Sequence, residues 1–171
     1  MKTFQENREK CDPLTGSPSA LVVGIGNSLR ADDSAGILVA AEIGRRNLPF
    51  LKVVEHAGDG ASLMELWEKA GRVIVVDAVV SGAAPGTIRR IDAIRDPLPG
   101  WLSEVSTHGL GLAQAVELAR SMNQFPRRLI IYGIEGRTFE IGGALSVEVR
   151  AAVPRVVDRV IEEMSADRQN L

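Results

Sequence analysis

The chain has 171 residues, of which 45% are hydrophobic and 25% charged, a composition typical of one soluble globular domain with a sizeable core. Its net charge of −2 gives no electrostatic reason to expect nucleic acid or an anionic membrane as partner, and no apolar run approaches the length of a membrane-spanning helix. The polar N-terminus lacks the apolar segment of a secretory signal, and a single cysteine, Cys11, excludes an internal disulfide. We therefore expect a cytoplasmic protein.

Breaker residues and polar composition divide the chain into three parts. Pro13, Gly16 and Pro18 interrupt a polar start, so residues 1–19 are predicted to be a disordered N-terminal extension. Residues 20–166 are predicted to form one α/β domain, and residues 167–171 a flexible tail. The balanced charge and the few aromatic residues favour a monomer.

Apolar runs alternate with helical patterns along the rest of the chain. The predicted strands cover 20–25, 51–55, 73–76, 86–91 and 128–132. The predicted helices cover 34–47, 61–70, 109–122 and 146–164, and a proline-rich loop covers 96–100. Because Pro154 lies well inside the last helical pattern, we expect it to kink or split that helix. The nearly all-apolar strands predict a doubly wound, mostly parallel α/β sheet with helices on both faces.

Polar side chains follow the predicted strands, at the sheet edge where ligands bind in such folds. Asp32 and Asp33 follow the first strand in the segment GIGNSLRADDSAG, and Asp77 ends the third strand. His56 and Asp59 follow the second strand, and Thr107 and His108 open a later helix. These residues are predicted to face one edge of the sheet.

Two carboxylates and an imidazole, those of Asp33, Asp77 and His108, suit a divalent cation such as nickel, zinc or manganese. Each residue also has an ordinary explanation. Asp77 could be a structural acid satisfied by a helix N-terminus, and His108 alone could be a surface residue. Either Asp32 or Asp33 could simply cap the following helix, and His56 could be solvated.

Other chemistries have no support in the sequence. The HExxH, GxSxG and GxxxxGK[ST] motifs are absent. GIGN resembles the start of a dinucleotide-binding fingerprint, but Leu29 occupies the third glycine position and the acids would repel a pyrophosphate. A nucleotide-binding oxidoreductase is therefore a secondary alternative.

Several separated motifs together resemble the [NiFe]-hydrogenase maturation endopeptidases. GIGNSLRADDSAG is similar to the opening loop of that family, and VIVVDAVVSGAAPGTIRRI to its apolar strand with an Asp followed by a Pro-Gly turn. STHGLGLAQAVELA is similar to its His-containing helix start, and YGIEG with GGALSVEV to its closing strand and helix. The resemblance extends over most of the chain after Ala20. Ser34 stands where the family often has Gly, and AGDGAS stands where it tends to have Asp-Gly-Gly-Thr.

The resemblance implies a doubly wound α/β fold and an aspartyl-type endopeptidase that removes a C-terminal extension from a hydrogenase large-subunit precursor. It also implies that Asp33, Asp77 and His108 form both the catalytic and the metal site. The nickel would arrive with the precursor, so that its insertion acts as a checkpoint before cleavage. A metal-bound water or a carboxylate could deliver the nucleophile, or the metal could serve recognition alone while a free carboxylate activates water. A nickel-dependent binding module that escorts the precursor without cutting it is the other alternative.

Overall fold

The computed structural model describes residues 20–68, 70–102 and 111–169. Its strands are β1 (Leu21–Ile25), β2 (Lys52–His56), β3 (Arg72–Val79), β4 (Ile88–Asp92) and β5 (Arg128–Glu135). Its helices are α1 (Ala35–Arg45), α2 (Gly60–Glu68), α3 (Leu112–Met122) and α4 (Val147–Gln169). Short 3-10 helices cover Ala31–Ser34 and Gly100–Leu102.

The strands form one sheet in the order β2-β1-β3-β5-β4. Strand β1 pairs in parallel with β2 and β3, and β3 pairs in parallel with β5. Only the edge strand β4 is antiparallel to its neighbour among the described strands. The carboxyl ends of β1, β2, β3 and β5 therefore meet at one edge, as the parallel prediction requires.

Alternate side chains of the strands point into two separate cores. Val22, Ile74 and Ile130 pack with the buried stripes of α1 and α4 on one face of the sheet. Val23, Val75 and Ile131 pack with α2 and α3 on the other face. Burial on both faces explains why these strands read as continuous apolar runs, and the predicted doubly wound fold is confirmed.

Strand β3 runs further than its sequence suggested. The sequence predicted that Asp77 ends the strand, whereas β3 continues through Val79. The reason is its partner, since β5 also extends beyond the predicted 128–132 and pairs Gly133 with Asp77 and Glu135 with Val79. Asp77 is consequently held at a fixed register inside a central strand, which gives it less freedom than a residue in a loop.

Helix α4 passes through Pro154 without a break, so of the two expected outcomes, a kink or a split, the split is wrong. Pro154 is exposed, whereas Ala152, Val156 and Val157 on the opposite side are buried against the sheet. Water can therefore hydrate the carbonyl that the proline leaves unpaired, while the buried stripe holds the helix in place. None of the helices in the described part of the chain is long and apolar enough to cross a membrane.

Candidate active site

The sheet order creates a crevice between β1 and β3. The chain leaves β1 toward β2 on one side, and then crosses β1 to form β3 on the other side. In open α/β sheets this reversal of strand order is where ligands bind. Asp33 follows β1, and Asp77 lies near the carboxyl end of β3, so both carboxylates belong to this crevice.

A tight turn after β1 brings Asp33 back toward the sheet. Gly26 has φ +148, and a Cβ atom there would lie 1.8 Å from the carbonyl oxygen of Asp33. The side chain of Asn27 accepts the N–H of Leu29 at 2.9 Å, and the N–H of Asp33 donates to the carbonyl of Arg30 at 2.8 Å. Only glycine allows the strand end and the carboxylate-bearing turn to approach this closely.

Gly36 seats the first turn of α1 on the ends of both central strands. A Cβ atom at Gly36 would lie 2.2 Å from the carbonyl oxygen of Ile25 and 2.3 Å from that of Val76. Ile25 ends β1, and Val76 directly precedes Asp77. The absence of a side chain at Gly36 therefore sets the separation between the turn that carries Asp33 and the strand that carries Asp77.

Asp33 and Asp77 influence each other electrostatically. Burial raises the pKa of Asp77, and the nearby charge of Asp33 raises it further, to about 7. Burial also raises the pKa of Asp33, although the charge of Arg30 and the N–H of Asn27 oppose that shift. Two half-buried acids that repel each other are costly for folding, and such perturbed pairs concentrate at functional sites.

Both carboxylates line a cavity of about 760 Å³ at the carboxyl edge of the sheet. Arg30, His56 and Phe139 also line it. Sequence reasoning missed Arg30, although a basic residue inside the glycine-rich loop was a usable signal. It also missed Phe139, because no local pattern links the connection between β5 and α4 to the loop after β1.

Asp32 and Asp33 have different environments despite being adjacent. Asp32 is completely buried, and its carboxylate accepts backbone N–H groups from Arg137, Thr138 and Ser146. Burial alone would raise the pKa of Asp32, but these three hydrogen bonds together hold it below its ordinary value. Of the two acids, only Asp33 lines the cavity.

His56 lines the cavity with both ring nitrogens engaged. Its Nδ1 accepts the N–H of Gly58 at 2.9 Å, which places the ring proton on Nε2, 3.0 Å from Ser62 Oγ. Ser62 in turn donates to Asp59 Oδ1 at 2.7 Å. Burial lowers the pKa of His56 despite the nearby charge of Asp59, and both ring nitrogens are used in hydrogen bonds to neighbouring residues of the same loop and helix.

Asp59 has a structural role at the start of α2. Its Oδ1 accepts the N–H of Ser62 at 3.0 Å, the pattern of a helix N-cap. The hydroxyl and N–H of Ser62 are the largest causes that hold the pKa of Asp59 below its ordinary value. Asp59 also lines the cavity, but its carboxylate bonds to Ser62 in the first turn of the helix.

The predicted ligand set is only partly within the described residues. Residues 103–110, and with them His108 and the predicted start of the helix at 109, lie outside the described part of the chain. Within that part, no group of three or more His, Cys, Asp or Glu side chains comes together that could hold a metal ion. Asp33 and Asp77 share the cavity, and the role of His108 stays a prediction.

The fold and the site define the class of protein: a doubly wound α/β domain with two carboxylates at its topological switch point. Such a site is suited to hydrolysis or to binding a cation. The model of the hydrogenase maturation protease family, HycI, matches residues 37–163. The hydrogenase expression/formation protein HoxM of Azotobacter vinelandii is 30% identical over 155 residues, which cover 89% of this chain and 74% of HoxM.

Two further comparisons agree with that match. The hydrogenase 2 maturation protease of Escherichia coli strain K12 is 27% identical over 146 residues, which cover 82% of this chain and 87% of that protein. The structure of the hydrogenase maturating endopeptidase HybD from Escherichia coli superposes with a TM-score of 0.73 at 24% identity, over 87% of this chain and 93% of HybD. The last comparison concerns the fold alone. The chain belongs to the hydrogenase maturation proteases and is a peptidase.

Proposed function

We propose that the protein is the endopeptidase that removes the C-terminal extension of a [NiFe]-hydrogenase large-subunit precursor after nickel has been inserted. Membership of the maturation proteases supports the type of reaction. The observation that carries the proposal is the convergence of Asp33 and Asp77 on one cavity at the β1–β3 switch point. The nickel ion belongs to the precursor and is part of the substrate.

The electrostatics of the carboxylate pair support recognition of a cation. Asp77 has a pKa of about 7 because it is buried and faces Asp33, so ionising both acids in the free protein is unfavourable. A divalent cation carried by the precursor would offset that repulsion and favour the ionised pair. A precursor without nickel would lack this interaction, which is the physical basis that we propose for the checkpoint.

The proposal assigns the metal contacts to Asp33, Asp77 and His108, and places the scissile peptide in the same cavity. Its volume of about 760 Å³ lies within the range in which proteins enclose ligands. One of the two carboxylates then serves the hydrolytic step, either by positioning a metal-bound water or by acting as a general base on free water. We place this reaction in the cytoplasm, and propose that a monomer performs it.

The test is a processing assay with purified protein and the large-subunit precursor, followed by the intact mass of the precursor. A nickel-loaded precursor should lose a C-terminal peptide, whereas the nickel-free precursor should keep its full mass. Binding of nickel-loaded precursor without any change in mass would instead identify an escort module. A change in mass that does not depend on nickel would refute the checkpoint while leaving the peptidase activity intact.

A further inference from the structure

Asp32 is a buried acid that the proposed chemistry does not use. It is 0% exposed, the lowest exposure among the buried charged side chains of the described residues. Its Oδ2 accepts the N–H of Arg137 at 2.7 Å and of Thr138 at 3.1 Å, and its Oδ1 accepts the N–H of Ser146 at 2.7 Å. All three donors belong to the connection between β5 and α4, more than a hundred residues away in sequence.

The same two segments are joined by further main-chain contacts. The N–H of Asp32 donates to the carbonyl of Thr138 at 3.0 Å, and the N–H of Gly142 donates to the carbonyl of Leu29 at 2.8 Å. Arg30 forms an isolated β-bridge with Ile141. The loop after β1 and the connection 137–146 are therefore one unit, with the Asp32 carboxylate at its centre.

This unit contains cavity-lining residues from both segments. Arg30 and Asp33 come from the loop, and Phe139 comes from the connection. Arg30 Nε also donates to the carbonyl of Phe139 at 3.2 Å. The positions of these two cavity-lining residues therefore depend on each other. A shift of the connection would move Phe139 and Arg30, and would loosen the turn that presents Asp33.

The turn itself requires external support. Ala31, which precedes Asp32, has a φ of +31, in the left-handed region that non-glycine residues rarely adopt. Such a conformation persists only where the surrounding structure enforces it. The side chain of Ala31 is buried, and the hydrogen bonds of Asp32 on one side and of Arg30 on the other supply that constraint.

Helix capping does not account for Asp32. Among the described residues, neither the 3-10 helix Ala31–Ser34 nor α1 has a side-chain hydrogen bond at its N-cap, and the Asp32 carboxylate bonds instead to the distant connection. Arg137 contributes its backbone N–H, whereas its guanidinium pairs with Glu148. An amide side chain has one acceptor oxygen, so it could not satisfy three donors arranged around both carboxylate oxygens.

We propose that Asp32 is a positioning residue for the peptidase site: its carboxylate fixes the connection 137–146 against the loop after β1, so that Asp33, Arg30 and Phe139 keep their places around the cavity. This role goes beyond the proposed function, because it concerns how the site is assembled. Only the activity measurement below relies on cleavage of the precursor.

The test compares Asp32→Asn with Glu163→Gln. Glu163 is also a partly buried acid at the centre of a hydrogen-bonded cluster, with Arg90, Arg128 and Tyr132, but none of these four residues lines the cavity. Both variants are assayed at a temperature at which their unfolding curves show each to be fully folded, so that a difference in stability does not affect the comparison. Amide hydrogen exchange and the separate kcat and KM for precursor cleavage are then measured.

We expect the amides of Arg137, Thr138 and Ser146 to exchange as slowly as those of β5 in the wild type, and to lose protection together in Asp32→Asn. We expect kcat to fall by about ten-fold or more, with a much smaller change in KM, since small displacements of reacting groups are costly. Glu163→Gln should leave both the three amides and kcat near their wild-type values.

Two results would overturn the proposal. The first is rapid exchange of the three amides in the wild type, which requires no variant to fold and no precursor to be cleaved. The second is an Asp32→Asn protein that keeps the wild-type kcat, or a Glu163→Gln protein whose kcat falls as much as that of Asp32→Asn. If the wild type cleaves no precursor, the exchange data still decide whether Asp32 fixes the connection, and the failure then belongs to the proposed function.

Discussion

Asp33, in the short 3-10 helix after β1, and Asp77, in β3, line the same cavity, and their proximity disfavours the ionisation of both carboxyl groups. Burial and the charge of Asp33 raise the pKa of Asp77 to about 7. The two acids lie on either side of the switch point between β1 and β3, where the absence of a side chain at Gly36 lets the first turn of α1 approach both strand ends. The fold thus places an unfavourable pair where the family relationship predicts catalysis.

Replacing Asp77 should stabilise the protein at alkaline pH. Because the folded-state pKa is above the unfolded value of 3.8, the folded protein binds more protons between about pH 4 and about pH 7, and stability falls as pH rises through that window. Asp77→Asn removes this loss. We expect the free energy of unfolding to exceed that of the wild type by roughly 1–3 kcal/mol at about pH 8, and to differ little at about pH 4.

Urea unfolding at both pH values checks this prediction, and the same variant should be inactive in processing. Gain of stability with loss of function is typical of active-site residues. A variant that is destabilised at about pH 8 would show that the Asp77 carboxylate makes a stabilising contact instead.

Replacing Asp33 should lower the pKa of Asp77 without returning it to the ordinary value. Asp33→Asn removes the like charge, whereas burial, the larger cause, remains. Titration of the Asp77 carboxyl carbon by NMR measures the change directly. An unchanged pKa would mean that Asp33 and Asp77 do not interact, and the shared site would then have to be abandoned.

His56 should contribute a pH dependence of the opposite sign to Asp77. Its pKa is lowered by burial, so the folded state disfavours the charged ring, and stability present above about pH 6.5 is lost as the pH falls below it. His56→Asn, in which the amide oxygen can still accept the N–H of Gly58, should remove this loss.

The measurement is best made in the Asp77→Asn background, where the opposing titration is absent. Unfolding free energies at about pH 7.5 and about pH 5.5 should differ less when His56 is also replaced. An unchanged difference would show that protonation of His56 is not coupled to folding. Processing is measured separately, in proteins that keep Asp77. Because both ring nitrogens of His56 are engaged, we expect the processing rate of His56→Asn to stay within about three-fold of the wild-type rate.

Two glycines of α1 offer a matched pair for testing the close approach at the site. Gly36→Ala would place a Cβ atom within 2.3 Å of two strand carbonyls, those of Ile25 and Val76. It should destabilise the fold by at least about 2 kcal/mol through overpacking. Gly44→Ala meets nothing within 4 Å and should stabilise the helix by roughly 0.5–1 kcal/mol. Equal effects of the two substitutions in urea unfolding would contradict the role of Gly36.

The sequence was sufficient for the features that depend on local pattern. Apolar runs such as those of β1 and β3 identified strands buried on both faces, and their alternation with helices identified the doubly wound sheet. The position of Asp33 and Asp77 at one edge then followed from the general rule for such sheets.

The features that sequence reasoning missed depend on tertiary contacts. Asp77 lies inside β3, not at its end, because pairing with β5 extends the strand. Pro154 leaves α4 unbroken because it is exposed while its neighbours are buried. Asp32 contacts the connection between β5 and α4, more than a hundred residues away, and Phe139 of that connection lines the cavity. No local pattern encodes such a contact.

The most direct test of the central claim is a side-by-side single-turnover assay of nickel-loaded large-subunit precursor with the wild type, Asp33→Asn and Asp77→Asn, monitored by intact mass. We predict that the wild type releases a C-terminal peptide and that both folded variants leave the precursor at full mass. Full processing by either variant would contradict the assignment of the reaction to this carboxylate pair.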